Sequence, residues 1–204
     1  MADSHPAGIL PGMTRIAIVD PQPAARAGLA MLLRAEPGLV PVGTATGAHD
    51  GADLVARRKP DVVLCEHRLP DADGPALTRR LRGLENPPQV ILYTAEPDPS
   101  LGLLARVSGA AGLVDKQAEP AELFEAVRVV ARGGSYLPEV TAAELDAAAH
   151  VVETDDLALL AMLVDRTPPG EVADALRLDR RRVQRRTERL LGRLRAQHDS
   201  GVAA

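Results

Sequence analysis

Short apolar runs alternate with helix-like patterns five times over the first 134 residues, and this alternation constrains the fold more than any other feature of the chain. The runs predict strands over residues 15–19, 40–45, 61–65, 89–93 and 112–114. The segments between and after them predict helices over residues 22–35, 48–58, 75–84, 99–108 and 120–132. Strands that alternate with helices of this length, through short turn-rich joints, are typical of βαβ units that build a parallel sheet.

Five such units match the strand order of the doubly wound, flavodoxin-like α/β fold. Right-handed crossovers place the carboxyl ends of all five strands along one edge of the sheet, where open sheets of this class bind their ligands. Asp20, Glu66, Thr94 and Lys116 each stand at the end of a predicted strand. We therefore expect these four side chains to converge, although they are scattered in the sequence.

Composition excludes several classes of protein. A chain of 204 residues is long enough for two domains, and its first residues show neither a signal peptide nor a membrane-spanning pattern, so we expect a cytoplasmic protein. The single cysteine, Cys65, excludes a disulfide framework and lies in an apolar run, which favours a buried residue over a reactive thiol. His49, His67, His150 and His198 have no metal-ligand spacing and are interpreted as surface or loop residues. No metal and no cofactor is expected.

The segment from residue 60 to residue 74 reads PDVVLCEHRLPDADG. It resembles the third strand and following loop of bacterial receiver domains, which usually read PDVVLxDxxMPxxDG. In that family two acids after the first strand hold Mg²⁺, the aspartate after the third strand is phosphorylated, and a hydroxyl and a lysine after the fourth and fifth strands contact the phosphoryl group. Thr94 and Lys116 match this pattern, and Asp20 supplies one acid. Pro21 replaces the second acid and Glu66 replaces the acceptor aspartate.

These two replacements argue against phosphoryl transfer. Mg²⁺ requires near-octahedral oxygen ligation, and Pro21 removes one carboxylate. The longer arm of Glu66 moves its oxygen from the in-line position, and about 1 Å of misplacement can cost about a hundredfold in rate. Glu66 could mimic the phosphorylated state by reaching Lys116 and Thr94, or it could form a structural ion pair. The ion pair is favoured because Leu113 occupies the aromatic switch position. Either interpretation predicts a receiver that is insensitive to acyl-phosphate donors.

Charge is distributed unevenly along the chain. Residues 1–153 carry 14 basic and 20 acidic side chains, whereas residues 154–204 carry 10 and 8. Between Arg177 and Arg195 the chain has nine arginines and two acids. A basic block of this density commonly binds polyanions.

Three helical patterns follow one another over residues 155–164, 169–176 and 180–197, and Asp179 is a credible N-cap for the last of them. The segment 133–140, GGSYLPEV, resembles the join of the NarL/FixJ family of response regulators, and Glu171-Val172-Ala173 matches its LuxR-type helix-turn-helix. That resemblance implies a double-stranded DNA partner. It places Gln184, Arg185 and Glu188 at the base-reading positions, because these side chains can bond adenine, guanine and cytosine edges.

The remaining arginines of the third helix are assigned to DNA phosphates, as cations around a groove-bound helix neutralise the backbone. They are Arg181, Arg182, Arg186 and Arg189. The family's fourth helix, often its dimer contact, has no counterpart in the few residues after Leu194. A homodimer is therefore expected through the receiver, on a face formed by Leu103, Leu104, Val107, Leu123 and Val127.

The predicted organisation is a flexible N-terminal extension (1–13), a receiver-like domain (14–134), a linker (135–153), a LuxR-type helix-turn-helix domain (154–197) and a flexible tail (198–204). The resemblance implies a DNA-binding transcriptional regulator and not an enzyme, whose receiver signals through a ligand, a partner protein or dimer contacts. The alternative is an interaction module that sequesters a partner and no longer binds a specific operator.

Overall fold

A computed structural model describes residues 12–95 and 99–202. The predicted N-terminal extension lies almost entirely outside the described residues, as do residues 203 and 204.

The sheet has five parallel strands in the order β2-β1-β3-β4-β5, which confirms the predicted doubly wound architecture. The strands are β1 (Thr14–Val19), β2 (Leu39–Ala45), β3 (Val62–Cys65), β4 (Gln89–Thr94) and β5 (Gly112–Asp115). Pro41 lies on the edge strand β2, next to a register shift between Ile16 and Ala17 of β1. An edge strand tolerates this proline because the missing N–H costs no hydrogen bond to a further strand.

Five helices connect or follow the strands. They are α1 (Pro23–Ala35), α2 (Ala48–Arg58), α3 (Gly74–Arg82), α4 (Pro99–Ser108) and α5 (Pro120–Ala131). Alternate residues of the strands point to opposite faces of the sheet. Ile16 and Ile18 therefore belong to the core cluster formed with α1 and α5, whereas Ala17 and Val19 belong to the cluster formed with α2, α3 and α4.

Four more helices make up the rest of the chain. They are α6 (Ala142–Val151), α7 (Leu157–Val164), α8 (Pro169–Leu176) and α9 (Arg180–Val202), with a 3-10 turn (Thr154–Asp156) before α7. Thr141 and Glu144 form a capping box at the start of α6. Asp179 caps α9 as predicted, because its Oδ1 accepts a hydrogen bond of 2.8 Å from the backbone N–H of Arg182. The helical part of the fold thus contains the helix-turn-helix pair α8 and α9.

The prediction of a flexible tail over residues 198–204 is corrected by the structure, because α9 continues to Val202 and residues 198–202 are helical. Thr187, Leu190, Leu191 and Leu194 are buried along one face of α9, and His198 continues that face with an exposed fraction of only 4%. The buried face of α9 therefore extends as far as His198, and the helix itself continues to Val202. The sequence prediction followed only the leucines, so it ended the helix one turn too early.

The two halves of the chain share one apolar core. Leu104 of α4 belongs to the same buried cluster as Leu159 of α7 and Leu190 of α9. Helix α4 also packs against α6, so three of the four C-terminal helices contact it. The receiver sheet and the C-terminal helices are therefore joined by apolar packing as well as by the chain connection.

This packing corrects the predicted dimer face. All five of its side chains are buried inside the single chain: Leu103, Leu104, Val107, Leu123 and Val127. The three on α4 lie in the core cluster that includes the C-terminal helices, and the two on α5 lie in the cluster between α5 and the sheet. An apolar stripe on a helix indicates burial without identifying what covers it, and here the cover is the chain itself.

Candidate functional site: the strand-edge pocket and helix α9

The fold brings the four predicted pocket residues to one edge of the sheet. Asp20 follows β1, Glu66 follows β3, Thr94 ends β4 and Lys116 follows β5. Because all five strands are parallel, their carboxyl ends lie side by side. The backbone N–H of Lys116 donates to the carbonyl oxygen of Thr94 at 2.8 Å, which fixes the lysine beside the neighbouring strand.

Lys116 bridges two carboxylates in this pocket. Its Nζ lies 2.5 Å from Asp20 Oδ2 and 2.5 Å from Glu66 Oε2. Both acids are buried, with exposed fractions of 1% for Asp20 and 8% for Glu66. Burial acts to lower the pKa of Lys116, but the hydrogen bonds to the two carboxylates outweigh burial and raise that pKa. The lysine is therefore a fixed cation between two fixed anions.

The second oxygen of each carboxylate is also used. Asp20 Oδ1 accepts from the backbone N–H of Gln22 at 2.7 Å, and Glu66 Oε1 accepts from that of Arg68 at 3.2 Å. The ammonium group of Lys116 also lies 6.0 Å from the ring centroid of Tyr93, at the outer limit of a cation–π contact. Sequence reasoning did not select Tyr93, because a single aromatic within a strand gives no signal of its own.

Cys65 is fully buried within β3, as its apolar context predicted. Burial raises the pKa of its thiol, and the negative charge of Glu66 raises it further. A thiol that resists ionisation is a poor nucleophile. Within the described residues, no group of three or more histidine, cysteine or acidic side chains is arranged to hold a metal ion.

The three predicted base-reading residues lie on two different sides of α9. Gln184 and Glu188 are exposed, and the Gln184 amide donates to Glu188 Oε1 at 3.1 Å. Both line a cleft that α3 and α4 form with α8 and α9, called here the α3–α9 cleft. Arg185 lies outside it, in a shallow groove beside Asp155 and Asp156. Glu188 also lines that groove, so of the three only Arg185 stays outside the α3–α9 cleft.

The predicted phosphate-binding arginines also divide. Arg181, Arg182 and Arg189 are exposed along α9. Arg186 instead binds Asp156, with Nε lying 2.5 Å from Oδ1, and it also donates to the carbonyl oxygen of Asp155. In this arrangement the Arg186 guanidinium holds α9 to the 3-10 turn before α7, so the phosphate role predicted for it stays a prediction and requires this ion pair to open.

Sequence reasoning missed a set of contacts between the receiver loops and the end of α9. Arg195 Nε lies 3.0 Å from Asp73 Oδ2, so α9 is bound to the residue that caps α3. His198 Nδ1 lies 2.6 Å from Ser100 Oγ, and the His198 ring meets the edge of the His67 ring at 5.2 Å between centroids. Both histidines are predicted as surface or loop residues. His67 does lie in the β3–α3 loop, although its side chain is buried, whereas the prediction is wrong for His198, which is buried on α9.

His67 directly follows Glu66 in the β3–α3 loop and contacts His198 of α9. A single residue, His67, therefore connects the acceptor position to the end of α9. Burial lowers the pKa of His67, and the neighbouring His198 lowers it further. The neutral imidazole is therefore the form that this packing favours. Nothing in the spacing of the two histidines signals their contact.

Comparison with known proteins agrees with this architecture. Residues 16–128, more than half of the chain, match the family model described as the response regulator receiver domain. The chain is 31% identical over 192 residues to the DNA-binding transcriptional activator DevR/DosR of Mycobacterium tuberculosis, covering 89% of this chain and 88% of that protein. It is 26% identical over 191 residues to the virulence factors transcription regulator BvgA of Bordetella pertussis, covering 89% and 91%.

Among solved structures, a LuxR-family two-component response regulator from Aurantimonas superposes with a TM-score of 0.60 at 28% identity, covering 68% of this chain and 99% of that one. A receiver sheet followed by a helix-turn-helix pair defines the response-regulator class of transcription regulators. This chain belongs to the NarL/FixJ family of that class.

The relatives are named as transcription regulators and not as enzymes. None of the helices in the described ranges combines the length and the apolar character that crossing a bilayer requires.

Proposed function

We propose that this protein regulates transcription by binding double-stranded DNA through α9, and that its receiver works without phosphoryl transfer. The observation that carries the first part is the exposed arginine side of α9, which includes Arg181, Arg182, Arg185 and Arg189. These cations lie within the first three turns of the second helix of a helix-turn-helix pair, where the major groove is entered. The resemblance to an activator named as DNA-binding supports the same function.

Residue roles on DNA follow from what the helix leaves exposed. Arg185 is assigned to base recognition, since an arginine can bond both O6 and N7 of guanine. Arg181, Arg182 and Arg189 are assigned to phosphates, where they contribute affinity without sequence preference. Gln184 lines only the α3–α9 cleft, so its base contact requires α9 to separate from α3, whereas Glu188 also lines the groove beside Arg185.

Selection of bound fragments from random duplex DNA tests this assignment. Replacing Arg185 with alanine should relax the selected sequence at one position, at a cost of about 1–3 kcal/mol for the preferred base. Replacing Arg181 with alanine should weaken all duplexes alike. Arg57→Ala, on the exposed side of α2, removes the same charge far from α9 and serves as the matched control. Equal effects of the Arg181 and Arg185 substitutions on every duplex would refute the role assignment.

The second part of the proposal rests on the donors in the strand-edge pocket. Members of the receiver family hold Mg²⁺ there, and the groups present do not fit that ion. Pro21 contributes no carboxylate, and both Asp20 and Glu66 are bound to the ammonium of Lys116 and to backbone N–H groups. Mg²⁺ needs oxygen ligands in near-octahedral array, and here the available oxygens already have partners. We therefore infer a pocket closed by an internal ion pair.

Two interpretations of Glu66 remain proposals, a structural ion pair and a mimic of the phosphorylated state. Both interpretations require the observed contact between Glu66 and Lys116. The mimic additionally requires Glu66 to act through Thr94, and the pattern lacks an aromatic switch residue at Leu113. Glu66→Gln separates the two, because a mimic should lose DNA affinity on losing the negative charge, whereas a structural pair should lose stability alone.

Incubation with radiolabelled acetyl phosphate tests whether the receiver accepts a phosphoryl group. We expect no label on the wild-type protein. The double variant Pro21→Asp with Glu66→Asp restores both missing aspartates and serves as the positive comparison. Label that appears on the wild type and disappears in Glu66→Ala would refute the proposal.

The alternative function is a sequestering module, and one observation favours it. Arg195 and His198 bind the end of α9 to the receiver. These contacts restrict how far α9 can move away from the receiver to meet a duplex. A sequestering module should bind no duplex even at low salt.

A homodimer also remains a proposal, and it requires a surface other than the five buried side chains on α4 and α5. Sedimentation velocity at several protein concentrations tests it.

A further inference from the structure

The α3–α9 cleft is strongly cationic. It has a volume of about 980 Å³ and lies where α3 and α4 of the receiver face α8 and α9. Six of the side chains that line it are Arg79, Arg80, Arg82, Arg106, Arg166 and Arg180. Among the described residues of the lining, Glu188 is the single acid. A seventh arginine, Arg195, also lines the cleft, but Asp73 already neutralises it.

The charge of these six guanidiniums is largely uncompensated within the protein. In the described part of the chain, none of the six takes part in an ion pair with a carboxylate. The Nε atoms of Arg79 and Arg106 are buried and have no hydrogen-bond partner there. A buried donor without an acceptor costs free energy, and native proteins rarely leave one unless a ligand or water satisfies it.

Burial and like charge act together on the arginines of the cleft. Burial lowers the pKa of Arg166, and the charges of Arg82 and Arg106 lower it further. Burial also lowers the pKa of Arg79, with Glu188 opposing and Arg82 adding to that effect. The closed arrangement of the two halves thus brings cations together at a cost that an anion would offset.

Local backbone features strengthen the attraction for an anion. Gly109, at φ +86°, leaves room for Arg82, whose Cγ would lie 3.2 Å from a Cβ at this position. Gly170, the second residue of α8, also lines the cleft, and no side chain caps this helix. Pro169 at the first helical position has no N–H and Glu171 adds an acid to the first turn, so the partial positive charge of this helix start adds only weakly to the field of the six guanidiniums.

We propose that the α3–α9 cleft binds a phosphorylated small molecule with two or more phosphate groups, and that this ligand holds the C-terminal helices against the receiver. Six guanidiniums against one carboxylate exceed the charge of a single phosphate, so a di- or triphosphate is the better match. The cleft volume is at the upper end of the range for small-molecule sites, which accommodates a ligand of nucleotide size.

A small ligand fits this cleft better than a DNA duplex does. The cleft exists only while α9 lies close to α3, and major-groove recognition requires that α9 enter a groove about 12 Å wide. Gln184 and Glu188 line the cleft and are also assigned to bases. If the proposed function holds, a bound polyphosphate therefore opposes DNA binding. The binding site itself does not depend on that function.

Titration calorimetry with sodium tripolyphosphate, at fixed ionic strength, tests the site on the full-length protein without DNA. We expect saturable binding that the double variant Arg82→Gln with Arg166→Gln weakens by about a hundredfold, since each charge-assisted contact contributes about tenfold. The control is Arg34→Gln with Arg57→Gln, which removes the same charge from exposed positions on α1 and α2 and should bind as the wild type does. Equal weakening in both double variants would show nonspecific charge attraction and overturn the proposal, as would the absence of binding.

A nucleoside triphosphate without metal, tested beside tripolyphosphate, distinguishes the source of the phosphates. Tighter nucleotide binding identifies a nucleotide as the ligand class, and equal binding identifies the phosphate chain alone; both outcomes support the site. Thermal unfolding guards against a folding defect. Without ligand, the cleft variant should melt at or above the wild-type temperature because like charges have been removed, and a fall of more than about 5 °C would show that the guanidiniums are structural and contradict the proposal.

Discussion

Replacing Lys116 with methionine should destabilise the receiver severely, because two buried carboxylates would lose the cation between them. Asp20 and Glu66 are almost fully buried and each lies 2.5 Å from Lys116 Nζ. Removing one partner of a buried pair costs about 3–5 kcal/mol. In a chain of this length each kcal/mol corresponds to about 2–4 °C, so the melting temperature should fall by about 6–20 °C.

Two comparisons make this prediction specific. The double variant Lys116→Met with Glu66→Gln should recover part of the loss, because only one buried carboxylate remains. Arg128→Met removes a cation from the half-exposed pair with Glu36 and should cost only about 0–1 kcal/mol. Differential scanning calorimetry or urea unfolding at neutral pH measures all three. A Lys116→Met protein that melts within about 2 °C of the wild type, or a double variant without recovery, would refute the argument.

The pH dependence of this ion pair follows from the raised pKa of Lys116. Because the pKa of Lys116 is raised in the folded protein, its contribution to folding stability is complete below the unfolded-state pKa of 10.5. That contribution is lost only as the pH rises through the folded-state pKa. Wild-type stability due to this lysine should therefore be constant across neutral pH and fall only in alkaline solution.

Three further predictions concern the packing of the two halves. Leu104→Ala should cost about 2–5 kcal/mol in urea unfolding, because this side chain is 1% exposed in the core shared by α4, α7 and α9. Arg186→Gln should lower the free energy of unfolding by about 3–5 kcal/mol, because it leaves Asp156 buried without its cation. The salt dependence of DNA binding should stay unchanged, and a reduced salt dependence would show that Arg186 contacts a phosphate. Because the pKa of His67 is lowered, stability from its neutral form is present above the ordinary value of 6.5 and falls as pH drops below it, and His67→Phe should remove that dependence in thermal unfolding.

The receiver could be predicted from the sequence in detail because its signals are local. Each strand is an apolar run bounded by turn residues, and parallel strands bring their ends together whatever the loops contain. Asp20, Glu66 and Lys116 therefore meet as the topology requires. The Asp179 cap is equally local, since the side chain and the N–H that it accepts from are three residues apart.

What could not be predicted is the contact between the two halves. Leu103, Leu104 and Val107 give the same apolar stripe whether a second copy or the chain's own C-terminal helices cover them. The sequence separation between His67 and His198, and between Asp73 and Arg195, leaves no periodic signal. Arg186 likewise has the type and spacing of a phosphate contact, and only the position of Asp156 identifies its role.

The salt dependence of duplex binding tests the central claim most directly. Fluorescence anisotropy with a selected duplex, over rising potassium chloride, measures the slope of log affinity against log salt. Arg181, Arg182 and Arg189 contact about three phosphates in our account, which predicts a slope of about −3 and a loss of about 1 in that slope for each arginine replaced. A protein that binds no duplex at low salt, or a slope that these substitutions leave unchanged, would contradict the assignment of α9 to DNA.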